Sequence, residues 1–132
     1  MGDLIGYGGD AKEAQTLEAP CPQSNRHKIF LNDGFVVVVQ YWLKEGKVIR
    51  FATVLIRPHD DGDGSDEICR YDTAHDHAHL DILDHNRKVI KKMAIVGLPS
   101  YEKAISYAIS DLKANYQKYW EDYWARKNKT QE

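Results

Sequence analysis

The sequence predicts an α+β protein in which an antiparallel β-meander of about five strands packs on one long C-terminal helix. Two observations support this architecture. Segments rich in β-branched and aromatic residues follow one another over 35–96, and short polar turns separate them. A segment with apolar residues three and four positions apart then runs from 100 to about 126. Strands in succession followed by one helix favour this class, whereas strands alternating with helices would favour a parallel sheet.

Length and charge limit what the protein can be. A chain of 132 residues is long enough for one domain with its own core, which we assign to residues 25–127. Residues 1–24 are predicted to form a flexible arm and residues 128–132 a disordered tail. The formal net charge of −2 excludes a generally basic nucleic-acid binder but not a local basic patch. The chain carries no signal-peptide pattern and no apolar run of membrane-spanning length, so we expect a cytoplasmic protein without a membrane partner.

The most secure pair of strands forms a hairpin. The segment FVVVVQYWL at 35–43 is apolar on both faces, as expected for a central strand. The polar, glycine-containing segment KEGK at 44–47 is a turn signal. The segment VIRFATVLIR at 48–57 then predicts the returning strand, which Pro58 ends.

Three further strands are predicted at 68–74, 77–84 and 89–96. The last would lie at an edge of the sheet, where Lys91 and Lys92 would hinder pairing with another chain.

The C-terminal helix begins with Ser100, a favourable N-cap residue. The apolar residues of this helix recur at spacings of three and four: Tyr101, Ile105, Ala108, Leu112, Tyr116, Tyr119 and Tyr123. A broad stripe of this kind packs against a sheet. Its aromatic end, 116–124, would also suit a protein partner or a second copy of the chain.

Histidines and aspartates alternate along the fourth predicted strand. Since alternate residues of a strand project to the same side, His77, His79 and Asp81 would line one face. His75 would join them if the strand began early. The opposite face carries three apolar residues, Ala78, Leu80 and Ile82. Because the apolar face would contact the helix, the imidazoles should lie on the open face of the sheet.

The preceding strand brings Arg70, Tyr71 and Asp72 within reach of these histidines. A basic segment follows the histidine strand and would add positive charges for contact with a nucleic-acid backbone. The residues that we assign to this contact are Arg87, Lys88, Lys91 and Lys92.

Three interpretations of the histidine group stay open, and the first is a solvated polar face. The second is a metal site, because His-x-His on a strand is a common ligand geometry; His77, His79 and Asp81 would then bind zinc or another divalent ion. The third is acid–base chemistry without a cofactor, in which one imidazole accepts a proton and another donates one. A carboxylate such as Asp72 or Asp81 would orient the imidazoles, and Arg70 would hold a phosphate bidentately. This set suits cleavage of RNA by its own 2′-hydroxyl.

The string RYDTAH at 70–75 resembles a motif of small bacterial and phage-borne proteins, among them the TumE-type toxins of toxin–antitoxin systems. Those proteins have an Arg-Tyr-Asp-x-Ala core followed by histidines, and the resemblance covers about 35–100. It implies a compact α+β protein that acts on RNA or otherwise arrests growth, and that an antitoxin holds in check. The residues that the resemblance carries over are Arg70, Tyr71, Asp72 and His75.

We therefore expect a toxin-like endoribonuclease that works without a metal. The predicted catalytic residues are His75, His77, His79, Arg70, Asp72, Asp81 and Tyr71. One alternative is a non-catalytic interaction or regulatory module, and another is a metal-binding protein. The expected partners are RNA and an antitoxin or other protein, and the edge strand and helix end also permit a homodimer.

Overall fold

The computed structural model describes residues 23–74 and 77–131. Within these ranges the chain forms a six-stranded sheet and one long helix, which confirms the predicted α+β architecture. The strands are β1 (Gln23–Phe30), β2 (Val36–Lys44), β3 (Lys47–Pro58), β4 (Ser65–Ala74), β5 (His77–Leu83) and β6 (Val89–Ala94), and the helix is α1 (Tyr101–Gln131).

The sheet is a meander in which every strand pairs antiparallel with its neighbours in sequence, in the order β1 to β6. The predicted hairpin of β2 and β3 turns at Glu45 and Gly46, whose φ angles are 53° and 78°. Positive φ at both central residues is the geometry of the tight turn that matches the twist of paired strands, and glycine adopts it without strain.

Strand β1 was not predicted. Its burial pattern shows why: seven of its eight residues are exposed, so its sequence has no alternation of apolar and polar positions. It is an edge strand that pairs with β2 through its backbone. It begins at Gln23, inside the predicted N-terminal arm, and the rest of that arm, residues 1–22, lies outside the described residues.

The helix begins as predicted, because Ser100 Oγ accepts a hydrogen bond of 3.1 Å from the Lys103 amide. It continues to Gln131, beyond the predicted end near 126 and into the predicted disordered tail. The last turns contain no glycine or proline that would stop a helix. The guanidinium of Arg126 donates a hydrogen bond of 3.1 Å to the Leu83 carbonyl, which ties this part of the helix to the end of β5.

The core lies between α1 and one face of the sheet. Its buried side chains come from four strands, from the residue before β2 and from the helix: Phe35, Val37, Val39, Phe51, Leu55, Tyr71, Leu80, Ala104, Ala108, Leu112 and Tyr123. At the aromatic end of the helix, Phe35 packs against the rings of Tyr116 and Trp120, with centroid distances of 5.1 and 5.5 Å. Trp124 at the same end stays 45% exposed. In the described part of the chain, no helix combines the length and the apolar character needed to span a membrane.

Replacement of Leu112 by alanine should lower the free energy of unfolding by about 3 kcal/mol, because the fully buried side chain would leave a cavity between helix and sheet. Urea unfolding followed by circular dichroism measures this loss. The adjacent exposed position gives the control, and Lys113→Ala should change stability by less than about 0.5 kcal/mol. Equal losses for the two variants would contradict the described packing of α1.

Candidate functional site

Five charged or titratable side chains from three neighbouring strands meet on the face of the sheet opposite the helix. The strand register creates this group, because Arg70 and Asp72 of β4 lie opposite Asp81 and His79 of β5, and Asp81 lies opposite Lys92 of β6. Ala78 and Leu80, the neighbours of His79 along β5, belong to the core beneath α1. His79 and Asp81 therefore project away from the helix, as the alternation predicts. We call Arg70, Asp72, His79, Asp81 and Lys92 the charged cluster.

The charged cluster is held by short contacts between opposite charges. His79 Nε2 lies 2.6 Å from Asp72 Oδ1 and 3.6 Å from Asp81 Oδ2. Arg70 spans both carboxylates, with Nε 3.1 Å from Asp72 Oδ2 and Nη2 3.5 Å from Asp81 Oδ2. Lys92 Nζ lies 3.0 Å from Asp81 Oδ1. Two carboxylates thus stand against two permanent cations, with one imidazole between the carboxylates.

Burial divides the cluster into a floor and a rim. His79 and Asp81 are 1% and 2% exposed, so the expected open placement of these two side chains is wrong, although their face of the sheet is the predicted one. The side chains of Arg70 and Lys92 lie against them and are 32% and 51% exposed. The charged ends of both cations contact the buried Asp81 carboxylate, and each side chain stays partly open to solvent.

The floor, His79 and Asp81, and the adjoining Asp72 carboxylate make few regular hydrogen bonds for buried polar atoms. Among the described residues, Asp72 Oδ1, Asp81 Oδ1 and both ring nitrogens of His79 are buried and lack a hydrogen bond of regular geometry. The short contacts of the charged cluster are therefore charge pairs without regular hydrogen-bond geometry. Buried groups in this condition are uncommon in proteins and mark places where a bound ion, a water molecule or a functional role accounts for them.

His77 joins this region from the side. It is exposed, and its ring centroid lies 5.7 Å from that of His79. Of the predicted catalytic residues, the structure thus brings together Arg70, Asp72, His77, His79 and Asp81. The predicted residue His75 lies outside the described residues.

The predicted approach of Tyr71 to the histidines is wrong. Tyr71 projects toward the helix, where its hydroxyl donates a hydrogen bond of 2.6 Å to Asp111 Oδ2. The Tyr119 hydroxyl donates to the same oxygen at 2.6 Å. Burial and the Asp111 carboxylate raise the pKa of Tyr71 far above its ordinary value, so the phenol stays protonated. Arg70 and Asp72 flank it on the strand and project the other way, because successive residues alternate.

The four basic residues assigned to backbone contact do not form one surface. Lys92 belongs to the charged cluster, whereas Lys91 lines a cavity on the helix side with Ile82 and Tyr119. Arg87 lies in the β5–β6 turn, where Nη2 donates a hydrogen bond of 3.2 Å to the Ser65 carbonyl. Lys88 is exposed in the same turn. Strand alternation separates Lys91 from Lys92, and the turn holds the other two at the end of the sheet.

The ion pair between Asp81 and Lys92 was not predicted, although both residues were chosen for other roles. This pair depends on the register of β5 and β6, which the sequence does not reveal, because a bulge between Ile82 and Leu83 determines which residues lie opposite each other. Asp111 was also missed, because an aspartate in the polar interval of a helix carries no sign that two tyrosines will bind it.

The protein is thus an α+β protein. It combines a six-stranded antiparallel meander and one long helix with a buried charged group on the face of the sheet away from the helix. The chain belongs to the family described as a domain of unknown function, DUF7718, whose sequence model matches residues 26–129. The match thus spans the described fold from β1 into the last turns of α1. The searches of curated proteins and of solved structures gave no match.

Asp81→Asn should lower the free energy of unfolding by about 2 kcal/mol, because the amide cannot offset Arg70 and Lys92; partial exposure of those cations keeps the loss below that of a fully buried pair. Urea unfolding provides the measurement. The matched control is Asp122→Asn, which breaks an exposed pair with Lys118 on the helix and should cost less than about 0.5 kcal/mol. A loss at Asp81 no larger than at Asp122 would contradict the described burial of Asp81 and its pairing with Arg70 and Lys92.

Proposed function

We propose that the protein is a toxin-like ribonuclease that cleaves RNA at the charged cluster. One observation carries the proposal: two cations, Arg70 and Lys92, stand partly exposed at the rim of a group that contains two carboxylates and one imidazole, with the exposed His77 imidazole beside it. Cleavage of a phosphodiester needs positive groups that offset the charge on the phosphate oxygens and titratable groups that move protons near neutral pH. The cluster supplies both kinds of group within one small area.

His77 and His79 have different roles in the proposed reaction, because only His77 is accessible to RNA. His79 is too deeply buried to touch an RNA strand, whereas His77 beside it is exposed. In the proposed reaction the His77 imidazole accepts the proton of a ribose 2′-hydroxyl, and the 2′-oxygen forms a bond to the adjacent phosphorus. The bond from phosphorus to the 5′-oxygen breaks, and that oxygen receives a proton from the Lys92 ammonium. The products are a 2′,3′-cyclic phosphate and a 5′-hydroxyl.

The remaining members of the cluster position these groups. Arg70 offers its planar guanidinium to the phosphate oxygens, and Asp72 and Asp81 hold it in place. Asp81 also holds Lys92 at the rim. His79 contacts both carboxylates and lies beside the His77 ring, so it acts on the reaction through its neighbours.

A cavity next to His77 supports an RNA substrate. It has a volume of about 390 Å³, which is within the range of small-molecule pockets. The lining includes Ala78, Leu98, Pro99 and Tyr101 together with His77. A lining of mixed polarity that includes an aromatic ring suits an unstacked base, which is how single-stranded RNA is usually bound. Ala78 and Tyr101 lie on the helix side of the sheet, so a base in this cavity would reach the face of the charged cluster only past His77, at the start of β5.

The resemblance of the segment at 70–75 to TumE-type toxins supports the further expectation of growth arrest. Under this proposal the protein acts in the cytoplasm, and a partner protein that covers the charged cluster would keep it inactive.

Expression of the chain alone should slow bacterial growth, and the purified protein should cut single-stranded RNA to products with cyclic phosphate ends. His77→Ala should lower the cleavage rate at least about hundredfold, because the accessible base is lost. Replacement of the ribose by 2′-deoxyribose at the cleaved position should abolish the reaction. Product ends are identified by mass spectrometry, and rates by gel electrophoresis.

The matched control is His27→Ala, since His27 is also exposed but lies on the opposite edge strand β1. It should cleave RNA at the wild-type rate. Unchanged cleavage by His77→Ala, or cleavage of the 2′-deoxy substrate, would refute the mechanism. Growth arrest that survives His77→Ala but is lost in Trp124→Ala would instead favour a binding module that uses the exposed helix end.

A further inference from the structure

We infer that Asp72, His79 and Asp81 form a binding site for one divalent transition-metal ion, of the Zn²⁺ or Mn²⁺ kind. One donor atom from each residue faces the same small volume: Asp72 Oδ1, His79 Nε2 and Asp81 Oδ2. These residues can place their ligand atoms within 4.8 Å of one another. Two ligands of one tetrahedral zinc ion, each at about 2.1 Å, lie roughly 3.4 Å apart, so the 2.6 Å separation would have to widen while the 3.6 Å separation already suits an ion.

The buried ring of His79, whose nitrogens lack a regular hydrogen bond, is a second reason to expect a bound ion. The side chain is almost completely buried, and in the described part of the chain its Nε2 has no hydrogen bond although Asp72 Oδ1 is only 2.6 Å away. A histidine that simply paired with this aspartate would direct an N–H bond at the oxygen. A nitrogen and an oxygen this close without a hydrogen bond between them are arranged as expected of two metal ligands that face a common centre.

The outer oxygens of the two carboxylates support the same conclusion. Asp72 turns Oδ1 toward His79 and Oδ2 toward Arg70 Nε at 3.1 Å. Asp81 turns Oδ2 toward His79 and Oδ1 toward Lys92 Nζ at 3.0 Å. Each carboxylate therefore directs one oxygen to the inner volume while a cation holds the other, and Arg70 Nη2 also lies 3.5 Å from the inner oxygen of Asp81, Oδ2. Metal-binding carboxylates are commonly fixed in this way by partners around the site.

The same cations limit the affinity. Arg70 and Lys92 already offset the two carboxylate charges, so an added divalent ion must work against two nearby positive groups. Lys92 is about half exposed and its long side chain can move into solvent, which makes it the adjustable member. Removal of the Lys92 charge should therefore strengthen metal binding, an effect that a non-specific surface site for metal would not show.

The donor set selects the kind of ion. One imidazole and two carboxylates suit Zn²⁺ and Mn²⁺, with water completing the coordination, and the set contains no thiolate that would select Cu⁺. It differs from the set predicted from sequence, because Asp72 on the neighbouring strand takes the place of His77. Metal binding does not depend on the proposed function; only its role does, since an ion at the floor of the cluster would help to offset phosphate charge during cleavage.

The test is isothermal titration of the full-length chain, freed of metal by a chelator, with ZnCl₂ and separately with MnCl₂ in the absence of RNA. We expect one ion per chain for at least one of the two metals. Asp72→Asn and His79→Ala should each weaken binding at least about tenfold, and Lys92→Met should tighten it several-fold. The control His27→Ala should bind as the wild type does. Asp72→Asn keeps the shape of a partly exposed side chain, so it remains informative if His79→Ala does not fold.

No stoichiometric binding of either metal by the wild type would overturn the inference. Wild-type affinity in Asp72→Asn would overturn it as well, as would weaker binding in Lys92→Met. These results leave RNA cleavage untouched, because the titrations contain no RNA. Conversely, tight binding that obeys the expected pattern in a protein without ribonuclease activity would retain the metal site and reject the proposed function.

Discussion

Strand β5 carries both the packing of this protein and its candidate chemistry, because successive residues of a strand leave opposite faces of the sheet. Ala78 and Leu80 enter the core under α1, while His79 and Asp81 enter the charged cluster. A shift of the register by one residue would send the charged pair into the apolar core and the apolar pair into the cluster. The apolar contacts beneath the helix therefore specify the geometry of the charged cluster on the other face.

The charged cluster is energetically expensive and depends on the rest of the fold. Burying charged groups costs free energy that mutual attraction offsets only in part, and here regular hydrogen bonds do not complete the compensation. The apolar core under α1 contributes the favourable free energy that keeps the arrangement in place. Groups held this way are poor contributors to stability but well suited to binding or catalysis.

Local sequence pattern was sufficient for the main architecture. The continuous apolar run of β2, the glycine-containing turn before β3 and the three-and-four spacing of the helix stripe around Leu112 are each strong local signals, and the structure confirms them. The same alternation placed His79 and Asp81 on the face away from the helix. Pattern could not find β1, whose exposed residues follow no period and whose existence depends on backbone pairing with β2.

Properties set by cross-strand neighbours were beyond sequence reasoning. His79 is buried against Asp72 on β4, and the contact between Asp81 and Lys92 depends on a bulge in the β5–β6 register. Tyr71 was assigned to the site on its motif, yet alternation alone would have placed it opposite Arg70 and Asp72. The motif suggested a shared role for three consecutive residues, whereas the strand divides them between two faces.

Because of this division, Tyr71 connects the helix to the strand segment that carries Arg70 and Asp72. Its hydroxyl is anchored to Asp111 on the helix, and its two neighbours in the chain, Arg70 and Asp72, belong to the charged cluster. The Arg70 guanidinium and the Asp72 carboxylate thus belong to a backbone segment that is attached to the helix through the hydrogen bond between Tyr71 and Asp111. A ligand or substitution that displaced α1 at Asp111 would therefore shift Arg70 and Asp72 as well. The helix side of the sheet could in this way alter the charged cluster without contacting it.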